Sequence, residues 1–520
     1  MELIKRNIHM DSVKCRASMQ TTLEDDVIIS DSRPDASKLV LDRGNVIIEE
    51  IKVTDDHVNV KGKLEFFILY QAEGKPGEKV DLADMSGSIS FDETIFMEGV
   101  QYGDGVCVDS EIEDLTISMI NSRKLGVQSV LSFLAVCEEI ADEEIVTDLC
   151  EKDAVEYRNK PLDMLAMAVK KKDVFRIKEE VEIPGSFPNI LSMIWWEITP
   201  QTIDFKVLED KISLQGELQC FFLYRGEGEE EKAHHYETTL PFAGTLECQG
   251  VREGMIPEIK YRCENRELEV RPDFDGEDRV ITFEECLELD ICVYEEEQLE
   301  ILSDVYGVSK EVSVINRETE LKKLLCRCSG KTKVSGQFAL QDRTTALYKI
   351  LHSSYALQIT EEKLLDEGMQ IIGNVDVRVF YESSKDEGSY GTMKASIPFS
   401  YVLEMPGVDE KCVWRMQAFV DQITVSVIDA EEVDIKCVLF FSANVYRKQN
   451  ERMIEQINMS EPDGEKLASL PGIAVYTIKD GESLWDVGKR YYVPIATLKQ
   501  MNDLTGDEVD AGDKILVIKG

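Results

Sequence analysis

VNVKGKLEFFILY from Val58 to Tyr70, ISLQGELQCFFLY from Ile212 to Tyr224 and MQIIGNVDVRVFY from Met369 to Tyr381 superpose without a gap, and Gly62, Gly216 and Gly373 each stand eight residues before the closing tyrosine. The apolar positions keep one phase: Val58, Val60, Leu64, Phe66 and Ile68, then Ile212, Leu214, Leu218, Cys220 and Phe222, then Met369, Ile371, Val375, Val377 and Val379. Period-2 alternation predicts an antiparallel strand with one face on a core and, over its first half, a polar face on solvent. A glycine inside such a strand has no side chain to pack, and marks a bulge or a close backbone approach rather than a phosphate loop.

The match runs outward in both directions. Phe91, Phe242 and Phe399 each precede by eight residues the Gly-Val pairs at Gly99, Gly250 and Gly407. Pro34 and Pro188 stand 28 residues before their glycine, a place taken by Thr345 in the third copy. Further alternating strands follow at Leu115, Ile117 and Met119, at Leu268 and Val270, and at Ile423, Val425 and Val427. Strands such as Leu287 to Val293 and Val433 to Phe441 close the copies. The chain is expected to be mainly β, with three tandem antiparallel β-sandwich-like domains at 1–153, 173–328 and 334–458. Linkers are expected near 154–172, 329–333 and 459–472, with Leu162 to Lys172 helical. Three copies of a sheet domain point to multivalency or length, because an enzyme rarely needs its site three times.

At 520 residues several domains are expected from a prior of roughly 150 residues each. Lys plus Arg number 58 against 101 Asp plus Glu, a net charge of -43, which makes nucleic acid an unfit partner and favours solubility, a basic partner or cations. Acidic clusters such as Glu227 with Glu229 to Glu231, and Glu295 to Glu297, are read as solvated loops. The start, Met1 to Met10, lacks an apolar signal core, and apolar runs such as Cys437 to Phe441 fall far short of the roughly 20 residues that span a bilayer. A cytoplasmic chain without an integral membrane segment is the expectation.

Thirteen cysteines without a Cys-x-x-Cys pair argue against a disulfide framework or zinc site, and Cys137, Cys220 and Cys437 fall in the apolar strand phase, where a thiol acts as a small hydrophobe. Of the five histidines, His9, His57, His234, His235 and His352, the adjacent pair is assigned to a charged hairpin loop of the second copy. No nucleophile-base signature, zinc spacing or phosphate loop is present, so a non-enzymatic protein needing no cofactor and no metal is expected.

From 473 to 520 the pattern changes. Tyr476 to Ile478 make a strand ended by Asp480-Gly481. Ser483 and Asp486 fit a capping box, and Leu484, Val487, Gly488 and Tyr491 recur as one helical face. Pro494 opens a second helix that buries Ile495 and Leu498, and Gly512 turns the chain into Ile515 to Val517. This βααβ order is similar to the LysM domain, carried by Tyr476, Gly481, Leu484, Trp485, Tyr491, Leu498, Asn502 and Gly512. The resemblance implies a groove formed by Gly481, Glu482, Ser483 and Leu484 with Asp510, Ala511 and Gly512, which in the family binds N-acetylglucosamine polymers. Glu482-Ser483 replace the usual Asp-Thr, and Gly488 stands where Ala is common. Tyr476, Trp485, Tyr491, Leu498 and Asn502 are assigned to the core of this small domain.

The three copies resemble the SPOCS domain of bacterial spore-coat proteins in Arg33-Pro34-Asp35, in Val60-x-Gly62 and in Tyr70. Three such domains followed by one LysM resemble the clostridial sporulation proteins that bind the spore-coat ATPase known as stage IV sporulation protein A. That resemblance implies a scaffold at the forespore surface in the mother cell, docking to the coat basement layer through its LysM domain. Two other functions remain open: a peptidoglycan-binding protein, and a LysM-targeted wall hydrolase.

Overall fold

The computed structural model describes residues 1–73, 81–153, 155–228, 232–341, 346–383, 389–461 and 471–518, with the side chains of 264–266 set aside. Ala154, Glu229 to Glu231, Thr345 and residues 462–470 of the expected third linker lie outside the described residues.

The first repeat runs through β1 (Leu3–Ile28), β2 (Ala36–Thr54), β3 (His57–Ala72), β4 (Leu82–Phe96), β5 (Val106–Asn121) and β6 (Lys124–Leu149). They form two three-stranded antiparallel sheets, ordered β1-β6-β5 and β2-β3-β4. The inward residues of β3 (Val58, Val60, Leu64, Phe66, Ile68 and Tyr70) share one core with Leu125, Val127, Leu131 and Phe133 of β6, so the repeat is a sandwich.

The second repeat follows the same path through β7 (Val155–Glu182), β8 (Ile190–Pro200), β9 (Asp204–Leu208), β10 (Lys211–Gly226), β11 (Ala233–Glu247), β12 (Ile256–Pro272) and β13 (Asp278–Gly307). The third uses β14 (Glu311–Ala339), β15 (Leu347–Leu365), β16 (Gly368–Ser383), β17 (Tyr390–Glu404), β18 (Cys412–Val427) and β19 (Glu432–Ser460). Their cores repeat the inward positions read from the sequence.

The strand glycines meet both halves of their expected role. Gly62 pairs with Phe91, Gly216 with Phe242 and Gly373 with Phe399. A Cβ on Gly62 would strike the Ile47 carbonyl and lie 2.7 Å from the Phe91 ring; one on Gly373 would strike the Gln358 carbonyl. Both carbonyls precede bulges, at Ile48/Glu50 and Ile359/Glu361. In the second copy the edge is broken into β8 and β9, and the nearest carbonyl, of Thr202, would be 3.0 Å away. The ring fills the space that the missing side chain leaves.

Two expected linkers are strands. The stretch 154–172, with its expected helix at Leu162 to Lys172, belongs largely to β7, which pairs along its length with β13. The alternation is hidden there because both faces are covered: Leu162, Met164 and Ala166 join one cluster, and Leu165 and Met167 another. Residues 329–333 lie inside β14, paired with β19. Their small and polar character suits an edge strand, where Gly330 leaves room for the Tyr401 hydroxyl. The expected limits at 173, 328 and 334 therefore fall inside strands, and β19 continues past 458 to Ser460. Glu295 to Glu297 likewise sit within β13, and His234 and His235 lie on β11 beside Tyr224 and Phe221 rather than in a loop.

The repeats close on one another. Leu69, Leu223 and Phe380, seven residues after the three strand glycines, meet in one cluster with Val40, Trp195 and Tyr390. At a second junction the long strands converge, packing Ile8 and Ile145 against Leu162, Leu299, Leu321 and Met453. Cys137, Cys220 and Cys437 are buried, and burial pushes their thiols up to about 11, 12 and 11. Among the described residues no helix is long and apolar enough to cross a membrane.

Candidate functional site

The C-terminal unit comprises β20 (Ile473–Thr477), α1 (Leu484–Tyr491), α2 (Ile495–Met501) and β21 (Lys514–Ile518), with β20 and β21 paired antiparallel. Ser483 caps α1, and the Asp486 carboxylate accepts from the Ser483 N–H at 2.8 Å and its hydroxyl at 2.6 Å. Leu484, Val487, Leu498, Ile515 and Val517 are buried together with Ile478, with Tyr476 and Tyr491 packed edge-to-face at 5.9 Å alongside. Asn502 ties the domain shut: its amide donates to the Leu498 and Leu516 carbonyls at 2.8 Å and its oxygen accepts from Leu516 N–H at 2.6 Å.

Two loops flank the first strand. Gly481 and Gly512 adopt φ of +77° and +100°, a conformation that L side chains disfavour. Gly512 N–H donates to the Ile478 carbonyl and Ile478 N–H to the Asp513 carbonyl, each at 2.9 Å, so the loop through Asp510, Ala511 and Gly512 is tied to Ile478, just ahead of the loop through Gly481, Glu482 and Ser483. Gly481 and Asp510 to Gly512 are exposed. The Leu484 side chain does not line this surface; it is 1% exposed in the core, because it is the first inward position of α1.

Two ionisable side chains lie on these loops, Glu482 and the exposed Asp510, and Glu482 is engaged within the domain. It accepts from the Tyr476 hydroxyl at 2.6 Å, Lys479 N–H at 3.1 Å and Arg490 at 2.9 Å. The Tyr476 hydroxyl first, and then the backbone and Arg490, hold its carboxyl below the ordinary glutamate range. The loop surface therefore offers backbone amides, short side chains and the carboxylate of Asp510.

Trp485 departs from its assignment to the domain core. It stands one residue out of phase with Leu484, Val487 and Tyr491, and its indole N–H donates to Asp304 of β13 at 2.9 Å. Its absence from the sequence-read helical face was the available signal for a contact outside the domain.

Elsewhere, a cavity of about 740 Å³ opens where β5, β12 and β18 approach. Its charged and polar groups join the repeats: Arg262 and Lys260 lie 2.8 and 3.6 Å from Asp109, and the Tyr355 hydroxyl donates to Gln201 at 3.0 Å. Among the described residues no cluster of three or more His, Cys, Asp or Glu is placed to hold a metal ion.

The family description "SipL, SPOCS domain" matches three segments, 35–120, 189–271 and 347–428. Each covers the second sheet of a repeat and the strand after it, leaving the long outer strands outside the match. A LysM domain matches 476–517. Comparison with the curated proteins and with the solved structures gives no match.

Proposed function

We propose that this chain, which has the SipL architecture of three SPOCS domains followed by a LysM domain, is a non-enzymatic scaffold of the spore envelope whose LysM loops dock to the coat basement-layer ATPase, stage IV sporulation protein A. SPOCS and LysM domains are binding modules of sporulation-associated and cell-wall-binding proteins, which supports the broader class. The observation that carries the docking reading is the neighbouring pair of loops at Gly481–Ser483 and Asp510–Gly512, which exposes Gly481, Asp510, Ala511 and Gly512 while Glu482 is held by Tyr476 and Arg490.

A tagged full-length chain should recover the ATPase from sporulating cells. Charge reversal at Asp510 with Ala511→Arg should cut recovery about tenfold, equivalent to about 1.4 kcal/mol. Equal recovery by the loop variant sinks the docking claim. The second reading, peptidoglycan binding, is favoured by the LysM match itself. It predicts that the chain pellets with purified cortex and that the same loop variant abolishes the enrichment.

A further inference from the structure

Helix α1 has two occupied faces. One packs into the LysM core; the other carries Trp485, Gly488 and Lys489, spaced as neighbours on a helix surface. All three meet the end of β13. Asp304 receives the Trp485 indole N–H at 2.9 Å on one carboxylate oxygen and the Lys489 ammonium at 2.6 and 2.7 Å on both. Its own backbone neighbour, Val305 N–H, adds a further donor at 2.9 Å.

Tyr306, two residues on and 3% exposed, sets its ring edge against Trp485 at 4.8 Å and donates its hydroxyl to the Val493 carbonyl at 2.9 Å. A buried phenol needs such a partner, and here the LysM domain supplies it. Arg158 of β7 covers the indole, 5.5 Å from its ring. Shape agrees with chemistry: a Cβ on Gly488 would stand 2.5 Å from the Tyr306 hydroxyl, so glycine at this position leaves room for the tyrosine.

Hydrogen-bond direction, aromatic contact and the space at Gly488 thus converge on one seat. We propose that Asp304, Tyr306 and Arg158 form a docking site for the LysM domain, which holds it as a fixed part of the molecule and closes its Trp485 face to ligands. The domain then presents its 481–483 and 510–512 loops at a set position relative to the repeats. This reading stands whether those loops take a protein or a glycan.

Hydroxyl-radical footprinting of the full-length protein, read residue by residue by mass spectrometry, tests it. Trp485 should be protected in the unaltered chain and oxidise several-fold faster in Asp304→Ala, with Tyr491 of the LysM core as the internal reference that stays unchanged. Asp304→Asn, which keeps an acceptor for the indole and loses the ion pair, should fall between. Lys489→Ala changes the other partner and should move Trp485 in the same direction, which guards against a folding defect in β13. Equal Trp485 reactivity in the unaltered chain, Asp304→Ala and Lys489→Ala overturns the docking site.

Discussion

Inside the repeats the inward strand positions recur; at the three seams between them the contacts vary, with an arginine–aspartate pair at two and a histidine beside two glutamates at the third. Tyr70 and Tyr224 are both buried and both donate to a proline carbonyl, Pro34 at 3.0 Å and Pro188 at 3.2 Å. Between the first and second repeats, Arg225 reaches Asp81 at 2.9 Å and the Leu82 carbonyl at 2.6 Å. Between the second and third, His352 stacks on Phe221 at 4.2 Å, with its ring nitrogens 3.3 Å from Glu237 and 3.6 Å from Glu197. Between the third and first, Arg378 lies 3.0 Å from Asp42 and the Thr392 hydroxyl donates to the Val40 carbonyl. A core is specified by strand alternation, which all copies share, whereas a seam is specified by which copy faces which, and no two seams have the same pair of partners.

The largest effect should come from the shared part. Phe222→Ala removes a fully buried ring and should cost about 3–5 kcal/mol in denaturant unfolding. A cost near zero would remove the sandwich core from the comparison.

Next, alanine at the strand glycines should cost roughly 1–3 kcal/mol by overpacking, more at Gly62 and Gly373, where a carbonyl is struck, than at Gly216. An equal cost at all three would show that the strand break between β8 and β9 gives no relief.

The His352 seam should titrate. Burial alone would lower its pKa, yet Glu197 and Glu237 push it up to about 9, against an ordinary value of 6.5. The raised value means that its contribution is fully present below about pH 6.5 and fades as pH rises through about 9, a loss of roughly 3 kcal/mol at most. Its neighbours from the packed elements, His235, Lys349, Arg43 and Arg378, titrate or carry charge nearby. His352→Gln should flatten that window of the stability-pH curve, and an unchanged curve would assign it elsewhere.

The smallest effect belongs to exposed pairs such as Lys5 with Glu144, 41% and 54% exposed. Lys5→Ala should leave the denaturant unfolding midpoint unchanged, and a clear loss would mean that surface charge helps to set the fold.

Much of this was legible in the residues. The Gly62, Gly216 and Gly373 register with its alternating neighbours located three sandwiches, and Tyr476, Leu498 and Asn502 located the small domain. The β7 stretch at Leu162 to Met167 was not legible as strand, because burial on both faces removes the alternation that distinguishes strand from helix. Trp485 was misplaced for a related reason: an aromatic in a small domain reads as core, and the surface it meets lies 181 residues away in the chain.

The sequence by itself determined the copy number, the inward face of each central strand and the order of the modules, because these follow from local periodicity and from turn and capping residues. Only the tertiary structure decided that Leu69, Leu223 and Phe380 meet, that His352 sits between two glutamates, and that Trp485 faces Asp304. Those contacts join residues far apart in the chain, and their partners are set by how three similar bodies and one small domain fit together in space.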